Sequence, residues 1–331
     1  MRISLKIKLH IITIALAFGL PRCSNEEPVA PSGTIDIVSF VSRMSGTFLN
    51  RPSTIIKLEL RANDLDPVRS VEVRVMKPST ISKGALMLTT GGYGTNFYGI
   101  GSETNTTLNY AVNLGLETFE VRWLGDKGWG TGIAGVGYPT AVRAYVSILQ
   151  YLKENEMTNT KTIIAHGGSG GSFQIAYGLT RFGLEKFINH AILIAGPPTV
   201  DLRQAVFGDK TLNSYWPDGI GGFQITDYIH GWENQGDYCK NRAANPPAFV
   251  LDALDQSSLL STVSPPDLSY ETDLIFVNTN DVTNADGQAL LYFDAIQSRK
   301  QWHYLPAETS HDVAGIPAGA TKIRELLYAL L

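Results

Sequence analysis

Cysteine is scarce in this chain of 331 residues, which contains only Cys23 and Cys239. Two thiols cannot build the disulfide framework of a small exported fold or a cysteine-based metal cluster. If Cys23 is modified, Cys239 is a single thiol, and such a cysteine usually packs as a small hydrophobic residue. An excess of basic residues is also lacking, because 27 Lys and Arg stand against 31 Asp and Glu. This balance excludes the basic face by which many proteins bind nucleic acid.

Motifs for a bound cofactor or metal ion are lacking as well. The sequence has no G-x-x-x-x-G-K-[ST] loop, no H-E-x-x-H pair and no EF-hand pattern, and Asn278–Gly287 lacks calcium-loop spacing. Gly130–Gly135 matches G-x-G-x-x-G, but it begins six residues after a predicted strand, and no acidic residue ends the next strand to bind a ribose. We therefore expect no cofactor and no metal ion, and we interpret Gly130–Gly135 as a flexible loop.

The first 33 residues have the pattern of an export signal followed by a tether. Basic residues precede the apolar run Ile11–Leu20, which is too short to span a bilayer as a permanent helix. The polar, proline-containing stretch that follows is typical of a linker. Cys23 resembles the lipidated cysteine of a bacterial lipoprotein, whereas cleavage after Ala17 would release a soluble protein. We predict a signal peptide at 1–22 and a tether at 23–33, and hence a cell-envelope lipoprotein or a secreted protein.

Hydrophobic residues make up 44% of the chain, enough for a large core, and their spacing predicts an α/β fold. Ile55–Leu60 and Ser70–Val75 alternate apolar and polar residues, which predicts an N-terminal β extension. From Ala85 onward, short apolar runs alternate with stretches of helical spacing. This alternation predicts a doubly wound, mostly parallel sheet with helices on both faces. The predicted strands of this part are Ala85–Thr90, Thr118–Leu124, Thr162–His166, His190–Ala195, Leu274–Asn278 and Gln301–Leu305.

One long interval breaks the alternation of strands and helices. Residues 197–268 are too many for a plain connection, and we interpret them as an insertion, called the cap below, over the carboxyl edge of the sheet. The cap is rich in aromatic residues, which would form either a wall facing a substrate or the cap's own small core. We single out Trp216 and Trp232 as candidate substrate-contacting residues. The aromatic cluster consists of Tyr215, Trp216, Phe223, Tyr228, Trp232 and Tyr238.

The strongest motif is Gly167-Gly168-Ser169-Gly170-Gly171, which lies between a predicted strand and a predicted helix. A serine on so sharp a turn has a strained backbone, and small neighbours let the turn pass close to the sheet. The N–H of Gly170, at the helix N-terminus, can stabilise a developing negative charge. A glycine-rich turn containing serine also arises by chance, but the strand-turn-helix position favours a nucleophile at Ser169.

With this motif the chain resembles the α/β-hydrolase superfamily over Lys83–Leu331, apart from the cap. The resemblance implies the chain order nucleophile, acid, histidine. Asp281 and His311 follow Ser169 in that order, each just past a predicted strand. The carboxyl ends of parallel strands are where such a sheet presents ligand-contacting groups. We expect an α/β-hydrolase domain at 34–331 with Ser169, Asp281 and His311 as its catalytic triad.

Four other residues compete for the acid and base roles. His303 lies inside a predicted strand, where a packed sheet residue is the simpler interpretation. His166 ends the strand that precedes the nucleophile and is expected to point away from it. Asp286, five residues after Asp281, enters the following helix and is the second choice as the acid, and Asp201 is the third.

A second backbone donor for an oxyanion is expected in the loop Thr90–Gly94, which follows the first strand of the parallel part. The loop resembles the His-Gly-Gly-Pro-Gly loop of many α/β-hydrolases, from which Thr90 and Tyr93 depart. The resemblance implies that the N–H of Gly92 acts beside that of Gly170. Tyr93 would either line the acyl pocket or pack against the cap.

These observations imply a serine hydrolase, first of all a carboxylic-ester hydrolase that forms an acyl-enzyme on a small-molecule or polymer-borne ester. A peptidase or amidase would use the same machinery. An alternative from another class is a surface binding protein that keeps the fold without the chemistry. We expect no nucleic-acid partner, and membrane contact only through a lipid on Cys23.

Overall fold

The computed structural model describes residues 36–61, 68–242, 244–262 and 266–331. The predicted signal peptide, the tether and Cys23 lie outside these residues. The described strands are β1 Ile37–Phe48, β2 Arg51–Arg61, β3 Arg69–Met76, β4 Gly84–Thr89, β5 Leu116–Trp123, β6 Ile163–Gly168, β7 His190–Ile194, β8 Asp273–Thr279 and β9 Lys300–Leu305. The described helices of eight or more residues are α1 Ser102–Leu114, α2 Gly137–Asn155, α3 Gly170–Phe182, α5 Gly222–Ile229, α7 Ala248–Ser257, α8 Ala285–Ala295 and α9 Pro317–Ala329; the shorter ones are α4 Leu202–Phe207 and α6 Tyr238–Asn241.

The described strands form one nine-stranded sheet in the order β1-β2-β3-β5-β4-β6-β7-β8-β9. The first three strands and β5 pair antiparallel, whereas every pair from β5 to β9 is parallel. The predicted fold class, a mostly parallel sheet with an N-terminal β extension, is therefore confirmed. Parallel pairing places the carboxyl ends of β4, β6, β8 and β9 at one edge of the sheet, and the loops that follow these strands build the site.

Two hydrophobic cores cover the two faces of the sheet. Along β4 the side chains alternate between them, so that Met87 packs in the core under α2 and α3 while Leu86 and Leu88 pack in the core under α1 and α9. Strands covered on both faces consist of continuous apolar residues, which explains the short hydrophobic runs of the sequence. Among the described helices, none has both the length and the apolar character that a membrane span requires.

The main departures from the predicted elements are at α1 and at the start of α3. The buried face of α1 includes Thr104 and Thr107 beside Leu108 and Ala111, so its apolar periodicity is too weak to be recognised in the sequence. The sequence predicts a helix from Ser172 after the motif, whereas α3 begins at Gly170, directly after Ser169.

The predicted cap lies between β7 and β8, where the described residues form α4 to α7. It packs against α2, and the hydroxyl of Tyr138 on α2 lies 2.9 Å from that of Thr226 on α5. The N–H of Gly135, in the loop predicted to be flexible, donates to the carbonyl of Ile229. These contacts attach the cap to the side of the sheet that carries α2 and α3.

Candidate active site

The turn at Ser169 joins β6 directly to α3. Ser169 has a positive φ of 49°, a conformation that costs a non-glycine residue about 1–3 kcal/mol. A Cβ added at Gly167 would lie 2.4 Å from the carbonyl carbon of Gly171, and one added at Gly171 would lie 2.6 Å from the carbonyl oxygen of Thr89. Only glycine fits at these two positions, so the sequence motif lets α3 start against the sheet with Ser169 at the tip of the turn.

His311 lies between Ser169 and Asp281, although the three residues are far apart in the chain. Its Nε2 is 2.8 Å from Oγ of Ser169, and its Nδ1 is 3.3 Å from Oδ2 of Asp281. Asp281 follows β8 and His311 follows β9, and these strands are parallel neighbours. An imidazole held between a serine hydroxyl and a carboxylate can take the serine proton.

The carboxylate of Asp281 is buried, with none of its side chain exposed. Burial by itself would raise its pKa, but hydrogen bonds from His311 and Thr283 outweigh this effect and lower the pKa of Asp281 below its ordinary value. Both the backbone N–H of Thr283, at 2.7 Å, and its hydroxyl donate to Oδ1 of Asp281. The same hydroxyl lies 3.2 Å from Nδ1 of His311. A proton held at Nδ1 leaves Nε2 of the neutral ring free to accept the hydroxyl of Ser169.

The four competing residues lie outside this arrangement. Asp286 accepts a hydrogen bond from the side chain of Asn213 at 3.2 Å. Asp201 caps the N-terminus of α4 by accepting a backbone N–H. His303 lies within β9 and is partly exposed, and His166 is completely buried, which lowers its pKa to about 4.

Gly92 and Gly170, the two predicted oxyanion donors, are in contact beside Ser169. A Cβ added at Gly170 would lie 2.3 Å from the carbonyl oxygen and 3.1 Å from the nitrogen of Gly92. Gly170 is the first residue of α3, so its N–H has no acceptor within the helix. The carbonyl of Gly92 accepts the indole N–H of Trp129 at 2.9 Å, and this bond holds the peptide between Gly92 and Tyr93.

A cavity of about 250 Å³ borders Ser169 and both glycines, and we call it the aromatic cavity. Most polar atoms of its large side chains already have partners within the protein. The indole N–H of Trp216 donates to the carbonyl of Pro198 at 2.9 Å, and the hydroxyl of Tyr138 is bonded to Thr226. The cavity therefore offers mainly apolar ring faces. Its apolar walls are Trp129, Tyr138, Phe173, Trp216, Ile220 and Ile225.

A second cavity, of about 370 Å³, also borders Ser169 and His311, and we call it the polar cavity. It lies towards the face of the sheet that carries α1 and α9, since Thr104 of α1 and Val313, before α9, line it. Ser169 and His311 thus border two cavities, of which the second has more polar side chains in its walls. The polar side chains that line the polar cavity include Thr89, Asn96, Tyr98, Thr104, His166 and Asp312.

The three predicted substrate-contacting side chains have different positions. Trp216 lines the aromatic cavity, whereas Tyr93 and Trp232 line neither cavity. The ring of Trp232 stacks on His230 within the cap, with centroids 4.5 Å apart. Trp232 therefore belongs to the aromatic core of the cap. The ring of Tyr93 packs towards Trp129, with centroids 6.2 Å apart.

Several residues at the site escaped the sequence analysis. Thr283 stands two residues after Asp281, the spacing at which a hydroxyl and N–H bond back to a carboxylate, and this signal could have revealed it. Phe173 lies one turn after Ser169 on α3, which also places it near the site. No local sequence pattern marks Trp129 or Tyr138 as a site residue. Trp129 lies in the loop before α2 and Tyr138 at the start of α2, and only the fold brings them to the site.

Within the described ranges, no three His, Cys, Asp or Glu side chains are grouped so that they could hold a metal ion. Cys239 is completely buried in the cap. Burial and the neighbouring Asp227 raise the pKa of its thiol, so little reactive thiolate forms at neutral pH.

Comparison with solved structures shows several similar folds. The acetyl xylan esterase from Paenibacillus sp. R4 is 13% identical over 90% of each chain, with a TM-score of 0.56. Acetyl xylan esterase 1 from Thermoanaerobacterium sp. JW/SL YS485 is 13% identical over 88% of each chain, with a TM-score of 0.54. Est1E from Butyrivibrio proteoclasticus is 8% identical over 88% of this chain and 99% of its own, with a TM-score of 0.50.

These likenesses show that the chain has the α/β-hydrolase fold. No protein-family model matches the chain, and no curated protein matches it in sequence.

Proposed function

We propose that this protein is an exported serine hydrolase that cleaves a carboxylic ester through an acyl-enzyme on Ser169. The observation that carries the proposal is the 2.8 Å contact between Nε2 of His311 and Oγ of Ser169, with Asp281 at the other ring nitrogen. A hydroxyl is a weak nucleophile unless a base takes its proton as it attacks. His311 is placed to be that base, and Asp281 to stabilise the imidazolium that forms.

The reaction has two halves. Oγ of Ser169 bonds to the ester carbonyl carbon while His311 takes its proton, and the carbonyl oxygen becomes an oxyanion facing the N–H groups of Gly92 and Gly170. The bond to the alcohol oxygen then breaks, and His311 returns the proton to the leaving alcohol. In the second half, water attacks the acyl carbon while His311 takes a proton from the water, and His311 then returns a proton to Oγ of Ser169 as its bond to the acyl carbon breaks and the carboxylic acid leaves.

The aromatic cavity is proposed to hold the acyl group. It borders both oxyanion glycines, and its walls are held by close ring contacts, such as that between Tyr138 and Phe173 with centroids 4.7 Å apart. Rigid apolar walls close to the reacting carbonyl suit an apolar chain or ring. The similar structures include proteins named acetyl xylan esterase, so esters are the first substrates to test.

A fluorophosphonate probe tests the proposal directly, because covalent labelling needs an activated serine. We expect the wild-type protein to be labelled and Ser169→Ala to remain unlabelled. A parallel screen of short-chain esters and aminoacyl amides separates an esterase from a peptidase. An unlabelled wild-type protein with no hydrolysis of either series would contradict the proposal and favour a binding protein.

Export is proposed from the pattern of residues 1–33 alone. Mass spectrometry of the mature N-terminus tests it, and a diacylated Cys23 is the expected result. A free N-terminus after Ala17 or Ala30 would indicate a soluble exported enzyme. An intact Met1 in the cytoplasm would refute export.

A further inference from the structure

The backbone that carries the N–H of Gly92 is a turn of four residues, Gly91–Gly94, which we call the glycine turn. The N–H of Gly94 donates to the carbonyl of Gly91 at 3.0 Å and closes the turn. Gly92 has a positive φ of 57°. Three of the four residues are glycines, which have more backbone freedom than any other residue. The shape of the turn therefore depends on hydrogen bonds from other segments.

Trp129 supplies two of these hydrogen bonds. Its indole N–H donates to the carbonyl of Gly92 at 2.9 Å, and its backbone N–H donates to the carbonyl of Tyr93 at 3.1 Å. The backbone N–H of Trp123 donates to the carbonyl of Gly94 at 2.9 Å. Each of the four carbonyls in the glycine turn thus accepts a hydrogen bond, and of these four donors only the indole of Trp129 is a side chain.

The indole of Trp129 is held firmly in this position. Its side chain is buried, and its ring packs against those of Phe173 and Tyr138, with centroids 5.9 and 6.1 Å apart. A Cβ added at Gly128 would lie 1.9 Å from the carbonyl oxygen of Tyr93. The glycine before Trp129 therefore lets the two loops touch. The ring cannot turn away from Gly92 without displacing packed neighbours.

The bond from the indole acts on the N–H of Gly92 through one shared atom. That N–H belongs to the peptide between Gly91 and Gly92, whereas the indole holds the following peptide, and the two peptides meet at Cα of Gly92. Without the indole bond the second peptide can rotate, and Gly92, as a glycine, adjusts its φ and ψ at little cost. The N–H then leaves the direction that an oxyanion requires, since such donors act at about 2.7–3.1 Å.

We propose that Trp129 is a positioning residue for the oxyanion donor at Gly92, beside its place in the wall of the aromatic cavity. The inference rests on the proposed ester hydrolysis and adds a residue that acts on the transition state through the glycine turn. Both halves of the reaction pass through an oxyanion, so loss of the indole bond lowers kcat whichever half limits the rate.

Two replacements of Trp129 test this role. Trp129→Phe removes the N–H and part of the ring, whereas Trp129→benzothienylalanine puts sulfur in place of the N–H and keeps the shape of the side chain. We expect both to lower kcat on propyl butyrate by about tenfold, less than the hundredfold or more that removal of a donor costs, because the donor is displaced and not lost. With benzothienylalanine KM should change by less than about twofold, since the cavity wall is kept.

An inhibitor that forms an oxyanion gives a readout specific to this role. Oγ of Ser169 adds to the carbonyl carbon of an alkyl trifluoromethyl ketone, its proton passes to His311, and the carbonyl electron pair moves to the oxygen. The resulting adduct has its oxyanion where the ester would have one. We expect its inhibition constant to rise by about the same tenfold as kcat falls in both Trp129 variants.

Trp123 provides the matched control. Its side chain is also next to the glycine turn, because a Cβ added at Gly94 would lie 2.8 Å from its Cδ1. Its indole N–H makes no hydrogen bond among the described residues, and it lines neither cavity. Trp123→Phe and Trp123→benzothienylalanine should therefore keep kcat and the inhibition constant near the wild-type values. Thermal unfolding of each variant monitors the fold, and the benzothienylalanine variants decide the matter if a phenylalanine variant does not fold.

Four outcomes would overturn the inference while leaving ester hydrolysis standing. They are a wild-type kcat in Trp129→benzothienylalanine, a raised KM with unchanged kcat in that variant, a lowered kcat with an unchanged inhibition constant for the ketone, and an equal loss of kcat in Trp123→benzothienylalanine. The proposed function itself fails in a different way, if the wild-type protein hydrolyses no ester or if Ser169→Ala is as active as the wild type.

Discussion

Thr283 contacts both Asp281 and His311, the proposed acid and base of the site. Its hydroxyl contacts both Asp281 and His311, and its N–H bonds to the same carboxylate. In the proposed mechanism, the proton transfer at Ser169 would therefore depend on a side chain that itself takes no part in it. Two predictions belong to this scale.

The first prediction concerns the triad. Ser169→Ala and His311→Ala should each lower kcat on a short-chain ester by at least about a thousandfold, because they remove the proposed nucleophile and its base. Asp281→Asn should be similarly impaired, because it removes the charge that stabilises the imidazolium. Circular dichroism should show an intact fold in each variant. Asp286→Asn is the control and should stay near the wild-type rate. A loss in Asp286→Asn with activity retained in Asp281→Asn would transfer the acid role to Asp286.

The second prediction concerns Thr283 as a positioning residue. Thr283→Val keeps the backbone N–H bond but removes the hydroxyl that contacts Asp281 and His311, so we expect kcat to fall by about tenfold with a smaller change in KM. Thr283→Ser restores a hydroxyl and should recover most of the rate. Equal kcat in the Val and Ser variants would show that the hydroxyl has no positioning role.

At the scale of elements, the cap contributes its aromatic residues to two different places. Trp216 lines the aromatic cavity and meets Phe223 edge-on with centroids 5.5 Å apart. Trp232 packs with His230, Tyr238 and Phe249 inside the cap. We therefore expect a replacement of Trp216 to affect the choice of substrate, and a replacement of Trp232 to affect only the stability of the cap.

The third prediction uses this difference. Trp216→Ala should change the relative kcat/KM among acyl chain lengths, since it removes part of the cavity wall. Trp232→Ala should leave that ranking unchanged and lower the free energy of unfolding by about 3–5 kcal/mol, because it opens a hole in the cap. Steady-state kinetics over an acyl series and urea unfolding provide the two measurements. A changed ranking in Trp232→Ala with an unchanged ranking in Trp216→Ala would contradict this division.

At the scale of the whole molecule, buried neutral histidines make the folded state sensitive to acid. Burial lowers the pKa of His230 from 6.5 to about 4. Its Nδ1 lies 2.8 Å from the carbonyl of Thr226, and its Nε2 lies 2.8 Å from the hydroxyl of Ser257. A neutral ring satisfies both contacts, by donating at Nδ1 and accepting at Nε2. Burial also lowers the pKa of His166 to about 4, so its protonation in acid likewise destabilises the folded state.

The fourth prediction follows from the sign of this shift. Below about pH 6.5 the unfolded chain binds a proton at His230 and the folded protein does not, so stability falls as the pH is lowered towards about 4. The free energy of unfolding that His230 can lose in this way is at most about 3 kcal/mol. Urea unfolding at pH 7 and pH 4.5 should show a smaller loss in His230→Gln than in the wild type. An equal loss in both proteins would mean that His230 does not contribute.

The fold class was predictable because its signals are local. The period of apolar residues identifies strands and helices, and the five-residue motif around Ser169 specifies its own turn, since glycine alone fits at Gly167 and Gly171. The resemblance to the α/β-hydrolase superfamily implies the chain order nucleophile, acid, histidine, and this order together with their positions after predicted strands selected Asp281 and His311 as candidates beside Ser169. The helix α1 was not predicted, because two threonines interrupt its buried face and only packing against the sheet and α9 makes it a helix.

The sequence by itself thus determined the parallel strands, the turn at Ser169 and the three triad candidates, because these depend on patterns among neighbours in the chain. Only the tertiary structure decided that Asp281 rather than Asp286 meets His311, because both follow β8 and only the turn at Thr283 separates them. It also placed Trp216 at a cavity and Trp232 in the cap, and brought His166 beside Ser169. Such choices depend on contacts between segments distant in the chain, which no local pattern records.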